Sequence, residues 1–292
     1  MTSLPPDGSR DRRIEASSNL WLIHPAARAL LPRALRAGLS ANAVSILGLI
    51  VGILAALCYA RWQHPLAAIA GLALSVAWLI ADGLDGMIAR ATQTASALGR
   101  MLDGLCDHGV FILIYVAMAL SIGTVEGWAL AVTAGAAHMV QSSLYEGERA
   151  RFHRRAKGVA LIAAPITGNA LVRFYDYVAG VPDRAGARFE RLLARSDDPV
   201  ALGGRYADAA VAPMRFLTML SANTRVLAIC VACLSGNPRI FWWVEIVPMT
   251  IVSIVGLLWH RRVEHGFTDG SPSHSGASDD RFAPAFAKEQ GR

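Results

Sequence analysis

The chain reads as an all-α integral membrane protein with six transmembrane helices, and three observations carry that expectation. Of its 292 residues, 54% are hydrophobic and only 17% are charged, which is too apolar for an ordinary soluble domain. The apolar residues fall in blocks of about 20, the length that crosses a bilayer. The basic residues gather at the ends of those blocks. Anchoring to anionic headgroups therefore explains the net charge of +6 better than nucleic acid does.

Residues 1–18 are polar and irregular and are expected to be disordered. The first 40 residues hold no short apolar core ending in a small-residue site, so no cleavable signal is expected. Residues 19–37 mix Leu, Trp and Ala with Arg28, Arg33 and Arg36, which suits a helix lying in the membrane interface. Residues 38–264 are expected to form the six-helix membrane domain. Its first span opens at Leu39–Asn42, with Ser40 or Asn42 as N-cap, and runs to about Ala60. The second runs from Leu66 to about Ile80, the third from Gly99 to about Ile122, and the fourth from Gly127 toward Arg149. The fifth is expected over Pro213 to Leu234 and the sixth over Phe241 to Trp259, with Asn237 and Pro238 at the turn between them.

Between the fourth and fifth spans lies an insertion, about residues 158–212. Its apolar start is too short to span and is broken by Pro165. Arg184, Arg188, Arg191 and Arg195 then interleave with Phe189, Leu192 and Leu193, the pattern of a basic amphipathic helix at the cytoplasmic face or membrane surface. Residues 265–292, rich in Ser, Gly, Asp and Pro, read as a disordered tail. Cys230 and Cys233 form a C-x-x-C with no second pair, so packing is the expected role. Loop arginines (Arg10–Arg36, Arg90, Arg100, Arg149–Lys157, Arg261, Arg262) outweigh Arg61 and Arg239 on the other side, which puts both termini in the cytoplasm.

The chemistry is concentrated where the second span ends. Asp82, Asp85, Gly86, Ala89 and Arg90 give D-x-x-D-G-x-x-A-R, followed after eight residues by Gly99, Asp103 and Asp107 as G-x-x-x-D-x-x-x-D. Asp82 and Asp85 are i, i+3, and Asp103 and Asp107 are i, i+4, so each pair shares a helix face. Carboxylates beside a bilayer are costly and mark function. Two such pairs repel each other unless cations neutralise them, and all-oxygen ligands suit Mg²⁺ or Mn²⁺.

These eight positions resemble, without gap or substitution, the signature of the CDP-alcohol phosphotransferases (CDP-alcohol phosphatidyltransferases), membrane enzymes of phospholipid synthesis. The resemblance covers about residues 38–155. It implies metal-dependent transfer of a phosphatidyl group from a CDP-linked lipid, CDP-diacylglycerol, to a small polar alcohol, with release of CMP. A pyrophosphate transfer needs charge neutralised on both the transferred and the departing group, which a two-metal site does. Asp82, Asp85, Asp103 and Asp107 are the expected ligands, and Asp107, in the position of the family's general base, is the expected proton acceptor. Asp82, Gly86, Ala89, Arg90 and Gly99 are expected around the CDP, with Arg90 on a phosphate. Asn42 either reaches the nucleotide or caps its helix; Ala41 stands where the family commonly has proline.

For the acceptor or a lipid phosphate the candidates are Gln141, Arg149 and Arg225. An arginine as deep as Arg225 faces either a cavity or a partner carboxylate. His138 reads as a packed helix residue. The long insertion departs from the family's usual connection, so the acceptor alcohol is not legible. Members of the family are often homodimers. Two other classes compete. An aspartate-rich prenyltransferase would carry its acidic motifs on distant helices, whereas here they are consecutive. A divalent-cation transporter would hold its ligands near the bilayer midplane on broken helices.

Overall fold

The computed structural model describes residues 11–94, 97–161 and 186–269; the side chains of residues 97–103 and 105 lie outside that description. Among the described residues the regular structure is entirely helical. A π-turn over Asn19–Ile23 leads into α1 (His24–Arg36). Then come α2 (Ala41–Tyr59), α3 (Pro65–Ala91), α4 (Ala97–Ile122) and α5 (Val125–Ala156). After the undescribed stretch follow α6 (Ala187–Ala194), α7 (Pro199–Leu217, closed by a 3-10 turn to Leu220), α8 (Ala222–Leu234), α9 (Arg239–Ile246) and α10 (Pro248–Asp269).

Among the described residues three stretches are long and apolar enough to cross a bilayer: α2, α3 and the α9–α10 run Arg239–Asp269. A fourth exists if α7 and α8, bent by 41°, make one span. In α4 the apolar part is the shorter Cys106–Ile122. In α5 polar residues take over from Gln141.

Ser40 caps α2 by accepting from the Ala43 N–H at 3.2 Å, which decides between the two expected caps and leaves Asn42 in the first turn, exposed. Small residues at Ala41, Ser45, Gly48 and Gly52 recur at helical spacing along α2. They let it close on α3 and α4: a Cβ on Gly48 would lie 3.4 Å from Ala81 Cβ, and one on Gly52 would collide with Val110. Around this seam α2, α3, α4, α5, α8 and α9 build one apolar core, including Tyr59, Trp78, Phe111, Met118 and Trp242. Cys230 and Cys233 are free thiols packed in it. Outward, Ile46, Leu47, Ile50 and Leu57 stay exposed, as a lipid-facing helix requires. At one end of the bundle, Trp62 donates to Ser121 and Arg239 pairs with Glu126, tying together the α2–α3, α4–α5 and α8–α9 turns.

The arginine-rich end carries a second core: Ile14, Tyr145, Phe152, Phe189, Leu193, Tyr206, Met214 and Met249, drawn from the N-terminal turn, the end of α5, α6, α7 and α10. Several expectations change here. Residues 11–18 were expected to be disordered, yet Ile14 is buried and Arg13 bonds Asp208 at 2.5 Å, so this part of the N-terminus is ordered by packing. Residues 199–212 were assigned to the insertion but form the first part of α7. Pro213 forfeits only one backbone bond within that helix, and the chain bends at extended Ser221 instead. The last span begins at Arg239, breaks at Val247 before Pro248 and runs on to Asp269, because His260 and Glu264 are held in a buried polar network. Of the basic amphipathic pattern, α6 buries Phe189 and Leu193 and exposes Arg188 and Arg191; Arg184 lies outside the described residues.

The seam between α5 and α7 yields a stability prediction. A Cβ on Gly203 would sit 2.2 Å from the Arg155 carbonyl oxygen, and backbone cannot yield there, whereas one on Gly204 meets nothing within 4 Å. Gly203→Ala is expected to destabilise by about 1–3 kcal/mol or more through overpacking. Gly204→Ala should be neutral or stabilising by roughly 0.5–1 kcal/mol through helix propensity. Thermal unfolding of the two variants in detergent compares them directly.

Candidate functional site

The end of α3 and the third turn of α4 face the start of α2 across a cleft lined by Ser45, Gly48, Trp78, Asp82, Asp85, Cys106 and Asp107. Trp78, Asp82 and Asp85 follow one another at i, i+4 and i+7, so one face of α3 supplies three of these residues. Asp107 comes from α4. Asp85 is 5% exposed and accepts a hydrogen bond of 2.6 Å from the Ser45 hydroxyl on α2. Asp82 and Asp107 are half-buried. Trp78 is pinned edge-to-face against Phe111, with ring centroids 5.5 Å apart, which fixes the floor of the cleft.

Sequence reasoning thus placed Asp82, Asp85 and Asp107 in one site, and they line one cleft. Asp103 and Gly99 lie on α4 toward the same end, their surroundings outside the described residues. Arg90 is exposed and folds back along α3: its Nη1 would lie 3.3 Å from a Cβ on Gly86. The space that glycine opens is therefore shared with the guanidinium as well as with any ligand. Ala89 is half-buried, one turn beyond Asp85, and Asn42 does not line the cleft. Ser45, Gly48, Trp78 and Cys106 were missed. Helical spacing from Asp82 and Asp85 would have found Trp78, and Cys106 is the immediate neighbour of Asp107.

The donor set fits hard divalent cations. Three carboxylates from two helices converge on a cleft whose walls are otherwise apolar or small, the oxygen-rich chemistry that Mg²⁺ and Mn²⁺ prefer. Among the described residues, three potential ligand atoms come within 4.8 Å of one another elsewhere, at Glu148, His260 and Glu264. That second cluster is already neutralised by arginine. Glu148 accepts from Arg151 (2.7 Å), Arg261 (2.6 Å) and His260 (2.8 Å), and Glu264 accepts from Arg155 (2.5 Å) and Arg261 (2.6 Å). A cation would have to displace guanidinium groups, so this cluster holds α5 to α10 rather than a metal.

The acceptor candidates lie apart from the cleft. Arg225 is 1% exposed and its Nε donates to Glu245 at 2.9 Å; it also donates to the Leu220 carbonyl and, at 2.9 Å, to Gln141 Oε1. Gln141 in turn donates to the Glu245 carbonyl (2.9 Å) and Thr250 (3.0 Å), satisfying a carbonyl left open where α9 ends before Val247. Of the two environments open to a deep arginine, Arg225 has the carboxylate. His138 is buried against Phe111, with Nδ1 3.6 Å from Glu245. Arg149 pairs with exposed Glu146 at 2.9 Å and lies over the Tyr145 ring.

Residues 39–171 match the family described as CDP-alcohol phosphatidyltransferase. The chain is similar to cholinephosphotransferase 1 of Xenopus laevis, 33% identical over 103 residues, which is 31% of this chain and 25% of that protein. The chain therefore matches about a quarter of that relative's length. No solved structure matches it.

Proposed function

We propose, from the match of residues 39–171 to the CDP-alcohol phosphatidyltransferase family, that this protein transfers a substituted phosphoryl group from a CDP-linked donor to an alcohol, releasing CMP. The donor is CDP-diacylglycerol and the acceptor a small polar alcohol. The observation that carries this reading is the cleft in which Asp82, Asp85 and Asp107 meet from two helices. Exposed Ile46, Leu47 and Ile50 on α2, beside Ser45 and Gly48 of the cleft wall, support a lipid-bearing donor.

Asp82, Asp85, Asp103 and Asp107 would hold two ions, Mg²⁺ or Mn²⁺, which would supply neutralisation of charge on the pyrophosphate. Arg90 binds a phosphate oxygen, and its folding over Gly86 directs the guanidinium along the helix toward Asp82 and Asp85. The acceptor hydroxyl oxygen attacks phosphorus, the P–O bond to CMP breaks, and the hydroxyl proton passes to Asp107. Six crossings fit this assignment: α2, α3, α4, α5, α7 with α8, and α9 with α10. The motif then lies at the arginine-rich, cytoplasmic end.

One observation favours a second reading. The relative's name says that it transfers cholinephosphate, so a donor carrying the small alcohol and a lipid acceptor form the alternative. The test is CMP release by purified protein with Mg²⁺ or Mn²⁺. One arm pairs CDP-diacylglycerol with inositol, inositol phosphate, glycerol phosphate, serine or choline; the other pairs CDP-choline with diacylglycerol. Release in the first arm supports the proposal. Release confined to the second reverses donor and acceptor, and release in neither overturns the transferase reading.

A further inference from the structure

Ser45 makes a contact that its position does not require. A serine inside a helix ordinarily returns its hydroxyl to the carbonyl four residues earlier. Here that oxygen, on Ala41, is 3.2 Å away, while the Asp85 Oδ2 on another helix is at 2.6 Å. A hydroxyl has one proton, and the shorter, charge-assisted partner takes it. Ser45 is 7% exposed and Asp85 5%, so water does not compete for the bond. Both residues line the cleft with Asp82 and Asp107.

We infer that Ser45 is a positioning residue for the cation site: its hydroxyl fixes the plane of the Asp85 carboxylate and so sets the affinity for the divalent ion. This rests on the proposal that Asp85 is a ligand. A carboxylate on α3 alone has rotational freedom about its terminal torsion. A bond from α2 removes that freedom before the ion arrives. Partners of this kind, one step behind a ligand, typically carry about 10- to 100-fold in metal affinity. Ser45 also joins the two helices that frame the cleft, so closure of α2 on α3 and organisation of the ligand become one event.

The test is Mn²⁺ binding to the purified full chain without substrate, followed by electron paramagnetic resonance and by quenching of tryptophan fluorescence, to which Trp78 in the cleft contributes. Ser45→Ala removes one atom and favours helix, so the fold is kept. Its expected Mn²⁺ dissociation constant is about 10- to 100-fold above that of the unaltered chain. Ser45→Thr, which keeps the hydroxyl, should restore tight binding, and Asp85→Asn should weaken it at least as much as Ser45→Ala. A role confined to pinning helices would lower the metal-free melting temperature and leave Mn²⁺ affinity unchanged. That outcome, or equal loss in Ser45→Ala and Ser45→Thr, would overturn the inference while leaving the metal site intact. Absence of Mn²⁺ binding by the unaltered chain would overturn both.

Discussion

Asp107→Asn is expected to lower CMP release by about 10²- to 10⁴-fold, the range that a positioned general base contributes. The substitution preserves volume and removes the ability to accept a proton. Asp107 sits half-buried on α4, facing Asp82 and Asp85 across the cleft, so an attacking hydroxyl bound there lies within reach of it. Two roles meet in this residue, and Mn²⁺ titration separates them. If Asp107 acts mainly as base, the asparagine variant keeps Mn²⁺ affinity close to that of the unaltered chain while turnover collapses. If it acts mainly as ligand, affinity falls together with rate, as in Asp85→Asn. Unchanged turnover in Asp107→Asn would remove it from the mechanism and leave Asp82 and Asp85 as the described carboxylates of the cleft able to take the proton.

The cleft was legible because its chemistry is local. Asp82 and Asp85 on one helix and Asp103 and Asp107 on the next follow from 3.6-residue periodicity, and the turn between them is short enough that the helices must be neighbours. What escaped was everything set by contacts distant in sequence. Ser45 lies 40 residues before Asp85, and nothing in its own surroundings announces the pairing. The end of the fifth span was readable from its apolar run, but not its beginning. The first part of α7 is Ala-rich with Asp208 and Arg205, and it is helical because Tyr206, Ala207 and Ala210 pack into the second core. Ile14 likewise is ordered by tertiary burial, which a polar N-terminal segment does not advertise. The same limit applies to Arg225. Its depth required a partner, and Glu245, the lone carboxylate between Glu126 and Glu264 that lies deep in an apolar span, was available in the sequence as that partner.

Glu245→Ala is expected to be the most destabilising single change in the apolar core. Glu245 and Arg225 are 0% and 1% exposed, and the Gln141 side chain meets both. Removing the carboxylate leaves a guanidinium buried among Tyr115, His138 and apolar side chains with only neutral acceptors. Breaking one half of such a pair costs about 3–5 kcal/mol. For a domain of this size that corresponds to a fall in melting temperature on the order of 10 °C. Replacing both partners, as in Arg225→Met with Glu245→Leu, should recover most of the loss, because a buried ion pair and an apolar pair of similar volume are close in stability. Thermal unfolding of the two single variants and the double variant forms a cycle whose coupling energy measures the pair. Strong coupling with catalysis retained in the double variant makes Arg225 structural, a clamp that keeps α8 against the break between α9 and α10. The opposite pattern is an Arg225→Gln variant that melts like the unaltered chain but needs far more acceptor for half-maximal CMP release. That pattern would return Arg225 to the acceptor site, and the pocket would then have to open between α5 and α8.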